Sequence, residues 1–105
     1  MVVDVDAPPL SAVKALAEPM RWRIVELLAG EELCVCHLAE ELEVPQPLVS
    51  HHLKVLRDAE LVESERYRYW TYYRLRTETL AHAGRALLRL AEGAPAHGDR
   101  RRPCC

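Results

Sequence analysis

Glu43 to Glu60, EVPQPLVSHHLKVLRDAE, is the stretch that decides how the rest of the chain is interpreted. At about 100° per residue of helix, its apolar side chains fall on one arc and its polar side chains on the other. On the polar arc lie Gln46, Ser50, His51, Lys54 and Arg57, followed by Asp58. Gln, Ser and His can hydrogen bond to base edges, and Lys and Arg suit phosphates. The pattern predicts a DNA recognition helix with the first five as contacts, rather than a helix that merely packs with a polar outer face.

The residues before this helix predict a turn. Pro45 disfavours helix at the residue before it, so a short preceding helix is expected to end near Leu42. Pro47 is tolerated only in the first turn of a helix, so the next helix is expected to begin near Gln46. A short helix, a tight turn and a longer helix together form a helix-turn-helix.

Strand-forming residues follow the recognition helix. Val62, Thr71 and the aromatic side chains after Arg66 bracket charged residues and predict a β-hairpin with its tip near 66–68. A hairpin directly after a recognition helix is a wing. Arg66 and Arg68 at its tip are candidate phosphate or minor-groove contacts, with solvated charges as the alternative. The fold class is therefore mainly α with a β-hairpin wing, a winged helix-turn-helix.

Helices at both ends of the domain complete the prediction. Ser11 is expected to cap a first helix, and a second helix over 20–29 is expected to place Trp22 among the apolar residues of the core. A last helix, capped by Thr77 or Thr79, is expected to run to about residue 92. Residues 1–9 are assigned to a flexible arm, 10–92 to the domain and 93–105 to a flexible tail. The predicted dimer interface comprises Leu10, Val13, Leu16, Leu80, Ala83, Leu87 and Ala91.

Composition favours a homodimer that binds double-stranded DNA. A chain of 105 residues without Phe forms one small core, so further burial by self-association is expected. The net charge is only −2, but the charges are unevenly distributed. Residues 1–45 carry three Lys or Arg against nine Asp or Glu, whereas residues 50–76 carry six against four. The basic charge therefore coincides with the recognition helix and the wing.

Localisation and cysteine content narrow the function further. No apolar run is long enough for a membrane span, and the acidic start does not resemble a signal peptide, so a cytoplasmic protein is expected. Four cysteines in a reducing compartment favour metal ligands or redox groups over structural disulfides. The histidines are scattered without the spacing of a hydrolase metal site, so no enzyme is predicted.

The segments ELCVCHLAEEL, VPQPLVSHHLKVLRDAELV and YRYWTYYRL resemble the ArsR/SmtB family of metal-responsive winged-helix repressors over about residues 10–92. The resemblance implies a homodimer that holds operator DNA until a metal or metalloid binds. The Cys34-Val-Cys36 pair is similar to the thiolate motif of members that sense arsenite or antimonite, and of those that sense cadmium and lead. Arsenite sensors carry a further Cys where this chain has Ala39, and usually Asp where it has His37.

The sequence therefore leaves more than one candidate for the third ligand of the ion. Cys104 and Cys105 can reach the site from the tail, unless they are incidental thiols, and His37 is a weaker candidate. Arsenite or antimonite is the leading inducer. A cadmium, lead, zinc or nickel response is the alternative, and a thiol redox switch is the alternative of another class.

Geometry suggests how the pair acts, if its members are not simply small buried hydrophobes. Residues two apart lie about 200° apart on a regular helix, so both sulfurs reach one ion only if the first turn is not helical. Ligation is therefore expected to distort or partly unwind the first turn of the helix-turn-helix and to misplace the recognition helix.

Overall fold

A computed structural model describes residues 8–98 and 101–104. In chain order it contains α1 (Leu10–Leu16), α2 (Pro19–Gly30), β1 (Leu33–Cys34), α3 (Val35–Leu42), α4 (Gln46–Asp58), β2 (Val62–Tyr67), β3 (Trp70–Leu75) and α5 (Thr77–Gly93). This order confirms the predicted winged helix-turn-helix. The predicted arm, apart from Pro8 and Pro9, and the terminal Cys105 lie outside the described residues. None of the helices in the described part of the chain has the length and apolarity needed to cross a membrane.

The turn between α3 and α4 forms as the prolines predict. Glu43 ends α3 in the left-handed conformation, with φ 55° and ψ 46°. The backbone N–H groups of Glu43 and Val44 return to the carbonyls of Glu40 and Ala39, which satisfies the end of the helix. Pro45 then adopts an extended ψ of 145°, and α4 begins at the next residue. The backbone is thus turned within three residues, as a helix-turn-helix requires.

The core lies where α2, α3 and α4 meet the base of the hairpin. Its fully buried side chains include Ile24, Leu38, Leu53, Leu56 and Leu61. The expectation for Trp22 is wrong, because its side chain is 54% exposed. The buried face of α2 is instead formed by Ile24, Val25 and Leu28, and the indole lies outside it.

The helix starts also differ from the predicted caps. Pro9 precedes α1, so Ser11 lies inside the helix, and Arg76 precedes α5, so Thr77 is its first residue. The side-chain cap that does form is at α2, where Glu18 accepts a hydrogen bond of 2.9 Å from the backbone N–H of Arg21.

The sheet has three antiparallel strands in the order β1-β3-β2. The hairpin was predicted, whereas β1 was not, because its two residues pair with a distant strand: Leu33 lies opposite Tyr73 and Cys34 opposite Tyr72. The hairpin register pairs Tyr67 with Trp70, so the turn consists of residues 68 and 69. Arg68 has φ 56°, a left-handed conformation that is strained for a residue with a Cβ. A glycine would adopt this conformation without strain.

Candidate metal centre and nucleic-acid interface

The side chains predicted to contact DNA on α4 all face solvent. Gln46, Ser50, His51, Lys54 and Arg57 are exposed, whereas Val49, His52, Leu53 and Leu56 on the same helix are buried. Leu48, placed on the packing arc by periodicity, is 39% exposed and lies at the edge of that arc. The helix therefore has one face fixed in the core and one polar face free to meet a ligand.

The cations of the polar face are not all unpaired. Lys54 donates a hydrogen bond of 3.0 Å to Asp58, one helical turn away, and both groups are exposed. Such exposed pairs contribute only about 0.3–0.5 kcal/mol, so Lys54 can exchange Asp58 for a phosphate at little cost.

The wing tip combines cations with exposed aromatic rings. Arg66 and Arg68 are exposed, and the guanidinium of Arg68 lies 5.5 Å from the centre of the Tyr67 ring. Tyr69 is 88% exposed and Trp70 is 54% exposed. The sequence pattern marks these aromatics only as strand formers, but their exposure at the tip makes them part of the same candidate surface.

A clamp of opposite charges holds the wing together. Arg74 on β3 donates to Glu63 at 2.8 Å and also to Glu65, both on β2. Its guanidinium lies 3.7 Å from the carboxylate of Glu32, which immediately precedes β1. The hydrogen bonds that Arg74 donates to Glu63 and Glu65 raise the pKa of Arg74, and the bond to Glu63 lowers the pKa of that carboxyl. One cation thus ties the hairpin to the strand that leads into the cysteine pair.

His52 links the recognition helix to the start of α2. It is 8% exposed, and its Nδ1 accepts a hydrogen bond of 3.3 Å from Arg21, which also donates to the carbonyl of Ala15 at 2.7 Å. The carboxylate of Glu18 lies 3.8 Å from the same nitrogen. Burial lowers the pKa of His52, Glu18 acts against this, and Arg21 adds to it. The imidazole is therefore a neutral packing group of the core rather than a DNA contact or a metal ligand.

The cysteine pair lies at the junction of β1 and α3. Cys34 is the last residue of β1 and precedes the helix with an extended backbone, φ −90° and ψ 167°, whereas Cys36 lies in the first turn of α3. The two sulfurs are 2.9 Å apart, and both thiols are free. The premise of the predicted distortion, that the two sulfurs cannot meet while the first turn of α3 is helical, is therefore wrong. The 200° separation applies to two helical residues, and the extended conformation of Cys34 already brings its sulfur beside that of Cys36.

His37 completes a three-residue cluster. Its Nδ1 lies 3.2 Å from the sulfur of Cys34, and the three potential donor atoms all lie within 4.8 Å of one another. Cys34 is buried, Cys36 is partly buried and His37 is exposed. Cys104 is exposed and is not part of this cluster in the described part of the chain. Of the candidates for a third ligand among the described residues, His37, the weakest by sequence, is thus the one that lies at the pair.

The two thiols ionise unequally. Burial opposes ionisation of Cys34, but the hydrogen bond from Cys36 and the backbone N–H groups of His37 and Cys36 outweigh it and lower the pKa of Cys34. The hydrogen bond to Cys34 raises the pKa of Cys36, and burial adds to that effect. The pair therefore loses its first proton readily and holds the second, with the thiolate on the buried sulfur.

A second surface, formed by α1, α2 and α5, is apolar. Val13, Leu16, Ala17, Trp22 and Leu87 line a concavity of about 270 Å³. Of the predicted interface residues, Leu10 and Leu87 are 67% and 54% exposed, Ala91 is exposed, and Val13, Leu16 and Leu80 are partly buried. Ala83 is only 1% exposed and offers no surface to a partner, so its assignment is corrected: it packs in the core of its own subunit. Trp22, Leu88 and Leu90 are also exposed apolar side chains, and none of them was among the predicted interface residues.

The amino-acid sequence of this chain is similar to those of known bacterial proteins. Residues 18–64 match a family model described as bacterial regulatory protein, arsR family. The arsenic resistance transcriptional regulator ArsR1 of Pseudomonas putida is 46% identical over 72 residues, which are 68% of this chain and 56% of that protein. The arsenical resistance operon repressor of Staphylococcus xylosus is 39% identical over 75 residues, 71% of this chain and 72% of that protein.

A solved structure is similar along most of the chain. It is a homodimeric winged helix-turn-helix DNA-binding domain from Mycobacterium bovis, described as a possible ArsR-family transcriptional regulator. The TM-score is 0.66 at 28% identity, and the match covers 89% of this chain and 86% of that one. Compared with the curated relatives, the chain spans just over half the length of the Pseudomonas protein and most of the Staphylococcus protein.

Proposed function

We propose that this chain, which belongs to the arsR family of bacterial regulatory proteins, is a transcriptional repressor that binds operator DNA as a homodimer. It releases the DNA when a thiophilic ion binds Cys34 and Cys36. The observation that carries the proposal is the position of two neighbouring free thiols at the start of α3, the helix that a tight turn joins to the exposed polar face of α4. Because a repressor of this kind acts on the chromosome, we propose that the protein is cytoplasmic. No catalytic activity is proposed for it.

The proposed DNA contacts divide into two kinds. Gln46, Ser50 and His51 lie on the exposed face in the first half of α4 and would meet base edges in the major groove. Lys54 and Arg57 on α4, with Arg66 and Arg68 at the wing tip, would meet phosphates or the minor groove. Discrimination between sequences would then come from the first set, and salt-dependent affinity from the second.

The proposed dimer is formed by the apolar surface of α1, α2 and α5. A winged helix of this size contacts one half-site, and a two-fold dimer doubles the contacts on a palindromic operator. The exposed Leu10, Trp22 and Leu87, with the concavity beside them, are the kind of apolar patch that marks an interface.

Release follows from where the two thiols are attached. Cys34 is paired with Tyr72 of the wing strand β3, whereas Cys36 belongs to α3, which packs on α4. When both thiolates hold one ion, the wing sheet and the helix-turn-helix are tied at a fixed separation. The two parts that meet DNA are then constrained together, and a spacing that suits the ion need not suit the operator.

Arsenite or antimonite is the first candidate inducer, because relatives named for arsenic or arsenical resistance are among the similar proteins and thiolates are soft ligands. Cadmium, lead or zinc is the second candidate, since the pair is accompanied by an imidazole. A thiol redox switch is favoured by one observation, the 2.9 Å between the two free sulfurs. In that case an oxidant that accepts two electrons and two protons would join the sulfurs as a disulfide.

The test is inducer-dependent release of a fluorescent operator duplex by reduced protein in a thiol-free buffer. The wild type is expected to release DNA with arsenite, and Cys34→Ser and Cys36→Ser are expected to bind DNA normally and not release it. Cys104→Ser/Cys105→Ser is the matched control for thiols outside the cluster. Release by Cys34→Ser would place the inducer site elsewhere. Release that requires an oxidant and no ion would favour the redox switch.

A further inference from the structure

We infer that His37 is a metal ligand of this chain, so that Cys34, Cys36 and His37 form a two-thiolate, one-imidazole site for a thiophilic divalent cation such as Cd²⁺ or Zn²⁺. The inference deepens the proposed function and rests on its assignment of the cysteine pair as the inducer site. In this site His37, rather than Cys104 or Cys105, is the third protein ligand.

The spacing of the three donor atoms fits such an ion. A tetrahedral ion with bonds of about 2.3 Å to sulfur and about 2.0 Å to nitrogen separates a sulfur from a nitrogen by about 3.5 Å. The Cys34 sulfur and the His37 Nδ1 are 3.2 Å apart. The same ion separates two sulfurs by about 3.8 Å, whereas the thiols are 2.9 Å apart. An increase of about 1 Å is within reach of small side-chain rotations, because Cys36 is at the surface of the first turn of α3.

The surroundings of His37 favour a cation. A concavity of about 290 Å³ beside it is lined by Leu27, Leu33 and His37 together with the carboxylates of Glu31, Glu40 and Glu41. These three acidic side chains are exposed and attract positive charge toward the cluster. Arsenite in neutral water is an uncharged acid and gains nothing from them. The local field therefore distinguishes the two classes of inducer.

The chemistry of the donors points the same way. An imidazole is a good ligand for zinc-like ions, while trivalent arsenic is held mainly by thiolates. Two thiolates and a neutral imidazole balance the charge of a divalent ion. The imidazole of His37 is therefore expected to matter for divalent cations and to matter little for arsenite, which the two thiolates bind with or without it.

The experiment titrates reduced full-length protein with Co²⁺, whose visible bands report the donor set, and then displaces Co²⁺ with Cd²⁺ to obtain affinities. Wild type, His37→Gln and the matched control His82→Gln on α5 are compared, each also in the Cys104→Ser/Cys105→Ser background. His37→Gln is expected to change the Co²⁺ spectrum and to weaken Cd²⁺ binding by about tenfold or more. His82→Gln and loss of the tail thiols are expected to leave both the Co²⁺ spectrum and the Cd²⁺ affinity unchanged. Arsenite binding to Cys34 and Cys36, followed by loss of free thiols in the Cys104→Ser/Cys105→Ser background, is expected to be the same with and without the His37 imidazole.

Each alternative outcome has a clear meaning. Unchanged spectra and affinities in His37→Gln would overturn the inference, and a change confined to the tail variant would assign the third ligand to Cys104 or Cys105 instead. Failure of the proposed function looks different: Cd²⁺ and arsenite would bind the cluster as expected in every titration, yet neither would release operator DNA from the wild type.

Discussion

Leu87→Glu tests the proposed dimer most directly, because Leu87 belongs to the apolar concavity and lies on a helix that contributes little to the core of its own subunit. Among the described residues of α5, only Ala83 is buried, and the Leu87 side chain is 54% exposed. The substitution should therefore leave the fold intact while placing a carboxylate in the interface.

The size of the effect follows from the exposed area. Full burial of a leucine is worth about 1.5–3 kcal/mol, so the exposed half of Leu87 can contribute about 1 kcal/mol when a partner covers it. A two-fold dimer contains two copies, which gives about 2 kcal/mol, or about 30-fold in the dimer dissociation constant. This is an upper value for Leu87→Ala. Leu87→Glu adds the cost of desolvating two carboxylates and should be larger.

Sedimentation velocity over a range of protein concentrations provides the assay, with thermal unfolding to verify that each variant is folded. Leu87→Glu should sediment as a monomer at concentrations where the wild type is a dimer, and it should bind operator DNA more weakly because each half-site is then bound alone. Tyr69→Glu is the matched control for the sedimentation measurement alone, since Tyr69 is 88% exposed at the wing tip and lies outside the apolar surface. An intact dimer for folded Leu87→Glu would refute the interface.

Two further predictions concern α4. Gln46→Ala and Ser50→Ala should each reduce the discrimination between operator and other DNA sequences by about 1–3 kcal/mol. Lys54→Ala should weaken binding to all DNA sequences alike and reduce the slope of log affinity against log salt concentration by about one. Unchanged discrimination by the Gln46→Ala/Ser50→Ala double variant would show that another face reads the bases. Burial lowers the pKa of His52 below its unfolded value of about 6.5, so neutral imidazole stabilises the fold fully above that pH and the contribution is lost as the pH falls below it. Urea unfolding between about pH 7.5 and about pH 5.5 should show this loss in the wild type and in His51→Gln but not in His52→Gln, and equal pH dependence in all three would remove His52 as the cause.

The fold was largely predictable because its decisive signals are local. Pro45 and Pro47 limit where helices can run, and the helix period and the run of strand formers identify α4 and the hairpin without knowledge of distant contacts. The two-residue β1 carries no such signal. It exists because Leu33 and Cys34 meet the far strand of the hairpin, a pairing between residues about 40 apart that no local pattern specifies.

The candidate site was predictable in its residues and not in its geometry. Cys34 and Cys36 stand out by spacing, but the helical angle between them has no meaning once Cys34 belongs to the strand before the helix. His37 was ranked below the tail cysteines as a third ligand. Its place next to Cys36 in the sequence does not reveal that its ring turns back to Cys34. Trp22 and Ala83 show the same limit for surfaces. Periodicity places both residues on an apolar helix face. It does not predict that Ala83 is buried within the subunit while Trp22 is exposed.

The position of Cys34 explains how one small site can act on both DNA-contacting parts of the proposed repressor. An ion held by Cys34, Cys36 and His37 joins the wing sheet to the first helix of the helix-turn-helix, so the increase of about 1 Å between the sulfurs must be taken up by side-chain rotation or by a shift of α3 relative to β1. Packed elements convert such displacements into discrete changes rather than absorbing them continuously. Coupling is reciprocal, so the arrangement that binds the ion more tightly binds DNA more weakly by the same free energy, commonly about 1–3 kcal/mol or about 5- to 150-fold. We therefore expect induction to proceed without unwinding of α3, through a small change in how α3 sits on β1.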